Sequence, residues 1–249
     1  MEPTPCHINA LLACTNSDDQ FNQITIDRLS PAVQKIILNS GMNVQKALFI
    51  YYAAAEDTCT EKLRNNIQQL FGKINVECII PGQEPTMIGN AECLVIGGGS
   101  IAKLAQKTSL FGGIIWQKIL SGVPFVGINA GAMFLSSRYM PIPANTCSNF
   151  GYFPLQFFYG YNNTTQDQGN ISQILNNHPQ ILYALAMPSI NEGGGIVLED
   201  AKSGLAGNNV SGIPGGLSEL YIYERDGQGS INNVPWSPIQ RKQLPINYM

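Results

Sequence analysis

Short apolar runs alternate along this chain with longer segments whose apolar residues recur every three or four positions. Ile8 to Cys14 reads as a first, buried strand. Ser30-Pro31 predicts an N-cap with proline at the first helical position; Val33, Ile36, Ile37 and Ser40 follow at helical spacing, and Gly41 closes the helix. Ala47 to Tyr52 predicts a second strand. Thr58 and Glu61 have capping-box spacing ahead of the helical stripe Leu63, Ile67, Leu70 and Phe71, which stops at Gly72. Val76 to Ile80 and Cys93 to Ile96 predict two further strands, Phe111 to Leu120 a helix, and Pro124 to Ile128 a fifth strand. Strands apolar on both faces, alternating with helices, imply a mostly parallel sheet with helices packed on either side.

The last third continues the pattern with less contrast. Ile171 to Asn176 predicts a helix, and Leu182 to Ala186, Gly195 to Leu198 and Leu217 to Tyr223 predict strands, the last of them closing the fold. Gly204 to Asn209 is a turn-rich connection. From Asp226 onward glycine, asparagine and proline dominate. The organisation expected is one α/β domain over residues 1–225 and an irregular tail over 226–249. Trp236, Pro238, Pro245 and Tyr248 suit either a disordered end or an arm against a neighbouring subunit.

Two turns in this pattern carry candidate chemistry. Val126-Gly127-Ile128-Asn129-Ala130-Gly131-Ala132 runs from a buried strand into a small-residue helix, the construction of a nucleophile elbow, with Asn129 at its apex. A carboxamide has no ionisable hydroxyl or thiol, so the geometry reads as catalytic while its tip does not. The fourth strand runs into Gly97-Gly98-Gly99-Ser100, where backbone N–H groups are free to face a ligand and Ser100 is placed to cap the next helix. A G-x-G-x-x-G spacing is missing, so no dinucleotide fingerprint is present. A right-handed crossover brings Asn129 and the triple glycine to the same edge of the sheet.

Composition narrows the partners. Only 12% of residues are charged, about half the ~25% of ordinary soluble proteins. Asparagine and glutamine supply much of the surface polarity, as in Asn65-Asn66, Gln68-Gln69, Asn176-Asn177 and Asn232-Asn233. Either a compositional bias of the source or a surface suited to contact with copies of itself explains this. A net charge of -3 without a basic block argues against nucleic acid. No run approaches the ~20 apolar residues of a membrane span, and Met1 to Pro5 lacks the features of a signal peptide, so a soluble cytoplasmic protein is expected. The six scattered cysteines, Cys6, Cys14, Cys59, Cys78, Cys93 and Cys147, read as reduced thiols, not as a zinc site or disulfide framework. Sequons begin at Asn162, Asn163, Asn170 and Asn209, and without a secretory route they are expected to be unused.

Ile96-Gly97-Gly98-Gly99-Ser100 and Gly127-Ile128-Asn129-Ala130-Gly131-Ala132 lie about thirty residues apart, and Met140-Pro141-Ile142 and Phe153-Pro154-Leu155-Gln156 follow in order. Together they resemble peptidase family S51, which includes dipeptidase E (α-aspartyl dipeptidase) and cyanophycinase. The likeness spans roughly residues 8–223 and implies a three-layer α/β/α fold with a mostly parallel sheet, class I glutamine amidotransferase-like and flavodoxin-like. It implies a serine where this chain has Asn129, a histidine where it has Gly160, and an acid where it has Tyr139. It also implies an oxyanion hole from backbone N–H groups around Gly98, Gly99 and Ala130, next to Ser100, which could persist as a binding pocket.

Neither His7 nor His178 sits where a base would serve Asn129, and Cys147 and Ser136-Ser137 lack a histidine partner in sequence. No paired-acid or metal-ligand spacing stands out, so no metal and no cofactor are expected. The leading expectation is a catalytically inactive S51 homologue, a pseudoenzyme retained for binding, scaffolding or homo-assembly, with itself as partner and a small peptide as a further ligand of the vestigial pocket. Two alternatives stay open: a divergent S51-like hydrolase with another nucleophile, and a self-assembling structural or storage protein.

Overall fold

The computed structural model describes residues 8–15, 21–55, 58–134, 155–161, 164–179, 183–188, 194–200, 208–213, 220–226, 228–236 and 241–244. The first half winds as the apolar pattern dictates. Strand β1 (Ala10–Cys14) leads to helix α1 (Gln23–Ser40), β2 (Lys46–Ile50), α2 (Glu61–Phe71), β3 (Asn75–Cys78) and the short α3 (Glu84–Gly89). Then come β4 (Leu94–Ile96), α4 (Ile101–Thr108), α5 (Gly112–Leu120), β5 (Phe125–Ile128) and the elbow helix α6 (Ala130–Met133). Strands β1 to β5 are all parallel, in the order β1-β5-β4-β2-β3. Every residue of β1, β4 and β5 is buried, the signature of strands covered on both faces.

The second half extends the sheet with the opposite sense and adds another. Strands β8 (Gly194–Asp200), β9 (Asn208–Ile213) and β12 (Arg241–Leu244) join antiparallel beyond β1, giving eight strands in the order β12-β9-β8-β1-β5-β4-β2-β3. A four-stranded sheet, β11-β10-β7-β6, is built from β6 (Leu155–Tyr161), β7 (Tyr183–Pro188), β10 (Leu220–Arg225) and β11 (Ile231–Trp236). Helix α7 (Thr165–Asn177) packs on it, burying Ile171, Ile174 and Leu175 against Ala184, Ala186 and Tyr223. The architecture is the expected three-layer α/β type.

Several local expectations are corrected. Helix α1 begins at Gln23, because Asn22 caps it by accepting from the Thr25 N–H, so Pro31 lies inside the helix and not at its start. Leu29 and Thr25 carry the buried stripe back past the proline, and the burial of that stripe outweighs the backbone hydrogen bond that proline forgoes. Helix α2 is capped by Thr60, not Thr58: its hydroxyl accepts from the Leu63 N–H at 3.2 Å. The residues after Asp226 are not irregular throughout. There β11 pairs with β10 along six residues and β12 with β9, so cross-strand partners override weak local propensity.

The cysteine reading is also corrected. Cys59, just before α2, and Cys78, at the end of β3, form a disulfide with Cα atoms 6.3 Å apart, 19 residues apart in sequence. The parallel pairing of β3 with β2 brings the two positions within bridging range. Cys14 and Cys93 are buried and take no part in this bridge. Among the described residues no helix is long and apolar enough to cross a membrane, and none form a metal-binding cluster of His, Cys, Asp and Glu.

Candidate functional site

The elbow is real in its geometry. Asn129 has φ 48° and ψ -105° and is the one non-glycine residue with positive φ among the described residues. Such a backbone costs on the order of 1–3 kcal/mol and persists only where its surroundings over-determine it. Small residues make the turn possible. A Cβ on Gly131 would lie 2.0 Å from the Ile96 carbonyl oxygen, and one on Gly127 would lie 2.5 Å from the Gly131 oxygen. Strand β4, strand β5 and helix α6 therefore pack backbone to backbone at this point.

What holds Asn129 is the end of β1. Its backbone N–H donates to the Ala13 carbonyl at 2.9 Å. Its carboxamide oxygen accepts from the Thr15 N–H at 2.9 Å, and Nδ2 donates to the Thr15 carbonyl and to Thr15 Oγ1, each at 3.1 Å. The side chain thus pairs with both polar groups of one peptide residue, adding a rung to the β1–β5 ladder after the Ala13–Ile128 pair. Asn129 and Thr15 are both buried, at 4% and 5% exposure, so this pairing supplies hydrogen bonds to polar groups taken out of water.

The triple-glycine turn lies beside the elbow, as the crossover predicts, since β4 and β5 are neighbours. Gly99 has φ 120°, and a Cβ there would sit 2.0 Å from the Ala53 carbonyl oxygen, so the β2–α2 loop presses directly on it. The Ser100 N–H donates to that same Ala53 oxygen at 2.7 Å. The Ser100 hydroxyl accepts from the Lys103 N–H at 3.3 Å, capping α4. Of the four expected pocket residues, Ser100 is therefore engaged as a helix cap. Among the described residues no hydrogen bond engages the N–H groups of Gly98, Gly99 or Ala130.

Next to these donors is an apolar crevice lined by Phe21, Phe49, Tyr51, Ala54, Gly97 and Gly98, among others. Its cavity volume is about 10 Å³, the room that one water needs. Asn129 is not among its lining residues. Gly160 lies in β6, where the pairing with β7 shifts register between Phe158 and Tyr161, and β6 runs against α6. The structure thus brings the strand of the expected base position to the elbow helix, and a glycine there offers no proton acceptor. Tyr139, Cys147, Ser136, Ser137 and His7 lie outside the described residues. His178 caps the C-terminus of α7, on the four-stranded sheet.

Sequence reasoning missed Thr15 and the loop residues Tyr51 to Ala54. The adjacency of β1 and β5 was the available signal for Thr15, because parallel neighbours deliver their carboxyl ends side by side.

A parallel sheet with a strained strand-to-helix elbow and a glycine turn at the next strand end defines a peptidase-type α/β fold. The family model for peptidase family S51 matches residues 20–200, and the chain belongs to that family. A crystal structure of a peptidase from an acI-B1 Actinobacterium is similar over 96% of this chain and 98% of its own, at 15% identity and a TM-score of 0.62. A candidate peptidase E protein from Listeria monocytogenes EGD-e is similar over 83% of this chain and 98% of its own, at 17% identity and a TM-score of 0.52. At these identities the likeness speaks for the fold alone. No curated protein matches the sequence.

Proposed function

We infer that this member of family S51 is a pseudoenzyme, retained in the cytoplasm for binding, scaffolding or homo-assembly. The observation that carries this reading is the pairing of the Asn129 carboxamide with Thr15. The group at the nucleophile position holds the sheet together, cannot ionise, and faces no base from Gly160. Backbone donors at Gly98, Gly99 and Ala130 support retained binding of a small carboxylate or peptide, since they need no side chain. Apolar walls and a small crevice favour a short ligand.

The test is to incubate the purified chain with Asp-Xaa dipeptides and with a serine-reactive phosphonate. Neither turnover nor labelling is expected. Turnover that survives Asn129→Ala would move the reading to a divergent hydrolase with its nucleophile elsewhere. Asn129→Ser alone is expected to leave the chain without activity, because a hydroxyl lacking a base stays protonated.

A further inference from the structure

Helix α1 buries one face and leaves the opposite one exposed. Thr25, Leu29, Ala32, Val33, Ile36 and Ile37 turn inward, and the helix packs on β1, β8 and α2. On the far side Ile24, Pro31 and Leu38 recur every seventh residue, two helical turns apart, so they fall on one stripe along the helix. Ile24 is 46% and Leu38 77% exposed, and Pro31 is exposed between them. Single exposed apolar residues are ordinary, but a row of them in register on one helix face outlines a packing seam.

The symmetry of the stripe points to its partner. Ile24 and Leu38 lie equally far from Pro31 along the helix, and so do Asp27 and Lys35. A second copy laid antiparallel, centred on Pro31, therefore sets Ile24 against Leu38 and Asp27 against Lys35, each pairing occurring twice. Asp27, Arg28 and Lys35 are the charged residues of α1. A parallel copy would instead set Asp27 against Asp27 and Lys35 against Lys35, which repel.

We propose that α1 is a homodimer contact, two copies packing antiparallel through Ile24, Pro31 and Leu38 about a two-fold axis at Pro31. This contact rests on the homo-assembly reading above and gives it a surface and a stoichiometry. An isologous contact uses the same patch on both copies and closes at two. The helix has 18 residues and offers a strip of roughly 27 by 10 Å. That is less than half of a standard interface, about 800 Å² on each partner, so the dimer is weak and depends on concentration. Asp27 already accepts from Gln23 at 2.7 Å, and Lys35 has an interaction within its own chain. The pairs across the copies therefore set direction and add little affinity.

Sedimentation velocity on the full chain, from roughly 5 to 500 µM at low salt, tests it. The mass should rise from one copy and level off at two. Leu38→Lys and Ile24→Lys, changes at exposed positions, should each weaken dimerisation on the order of tenfold or more. Leu110→Lys, whose apolar side chain lies outside α1, should dimerise like the parent. Asp27→Lys and Lys35→Asp should each weaken the dimer about two- to tenfold, and both changes in one chain should restore it. A chain that stays single at every concentration overturns the proposal and the homo-assembly reading together. A mass that climbs past two copies, a Leu38→Lys dimer as tight as the parent's, or a double charge change that fails to recover overturns the α1 contact alone and leaves assembly to another surface.

Discussion

Asn129 shows how one side chain can be read in two ways until its partners are known. As a substitute for a serine it is a lost nucleophile; as a partner for Thr15 it is a structural pair at the carboxyl end of the sheet. Asn129→Ala keeps the strained backbone and leaves the Thr15 N–H and carbonyl buried without this partner, so a loss of about 2–4 kcal/mol is expected in urea unfolding. Asn129→Gly loses the same bonds but relieves the backbone, so it should be the milder of the two by about 1 kcal/mol. Asn129→Asp replaces a donor with an acceptor facing the Thr15 carbonyl. It should be more stable at acid pH than at neutral, because protonation restores a donor.

A second residue-scale contact has a pH signature. Tyr52 O–H donates to Glu84 at 2.7 Å. Partial burial pulls the Glu84 carboxyl upward, but hydrogen bonds from Tyr52 and from the N–H groups of Glu84 and Gly82 outweigh it and hold the pKa below the ordinary value. Burial first, and Glu84 second, hold the Tyr52 phenol protonated far above its usual range. A carboxyl lowered by folding stabilises above its unfolded pKa and loses that contribution as pH falls through the folded one. Tyr52→Phe should therefore cost about 1 kcal/mol at neutral pH and flatten the acid limb of a stability–pH curve measured by thermal unfolding.

At the scale of elements, the elbow and the glycine turn are one packed unit. Gly131→Ala would drive a methyl group to 2.0 Å from the Ile96 carbonyl oxygen, backbone that cannot step aside. A loss of about 3 kcal/mol or more is expected, with β4 and β5 losing amide protection together. The parallel strands β1 to β5 were legible in the sequence because burial on both faces forces continuous apolar runs. The start of α1 was not, because Ser30-Pro31 imitates a helix start that Asn22 already provides. Strands β11 and β12 were illegible for a different reason: their polar and proline-containing sequences gain strand structure only from β10 and β9. The elbow could be read locally, whereas its partner could not, since Thr15 stands 114 residues away.

For the whole molecule, the open question is what keeps such a weakly charged surface apart. With 12% charged residues and a net charge of -3, long-range repulsion between copies is small, and salt within the physiological range screens much of what remains. Among the described residues Leu38 and Leu110 stand 77% and 95% exposed, and Ile24 and Ile80 each 46%. Leu38 and Ile24 share helix α1. If homo-assembly is the retained role, the mass measured by light scattering should rise with protein concentration. It should change little between roughly 0.05 and 0.5 M salt, because contacts poor in charge are not screened. Leu38→Lys and Leu110→Lys would then shift the distribution toward smaller species where either patch takes part. A monomer at every concentration would end the assembly reading and leave small-ligand binding at Gly98, Gly99 and Ala130 as the role to pursue. A mass that falls steeply with salt would place the contact on ion pairs instead, and the amide-rich composition would then need no functional explanation.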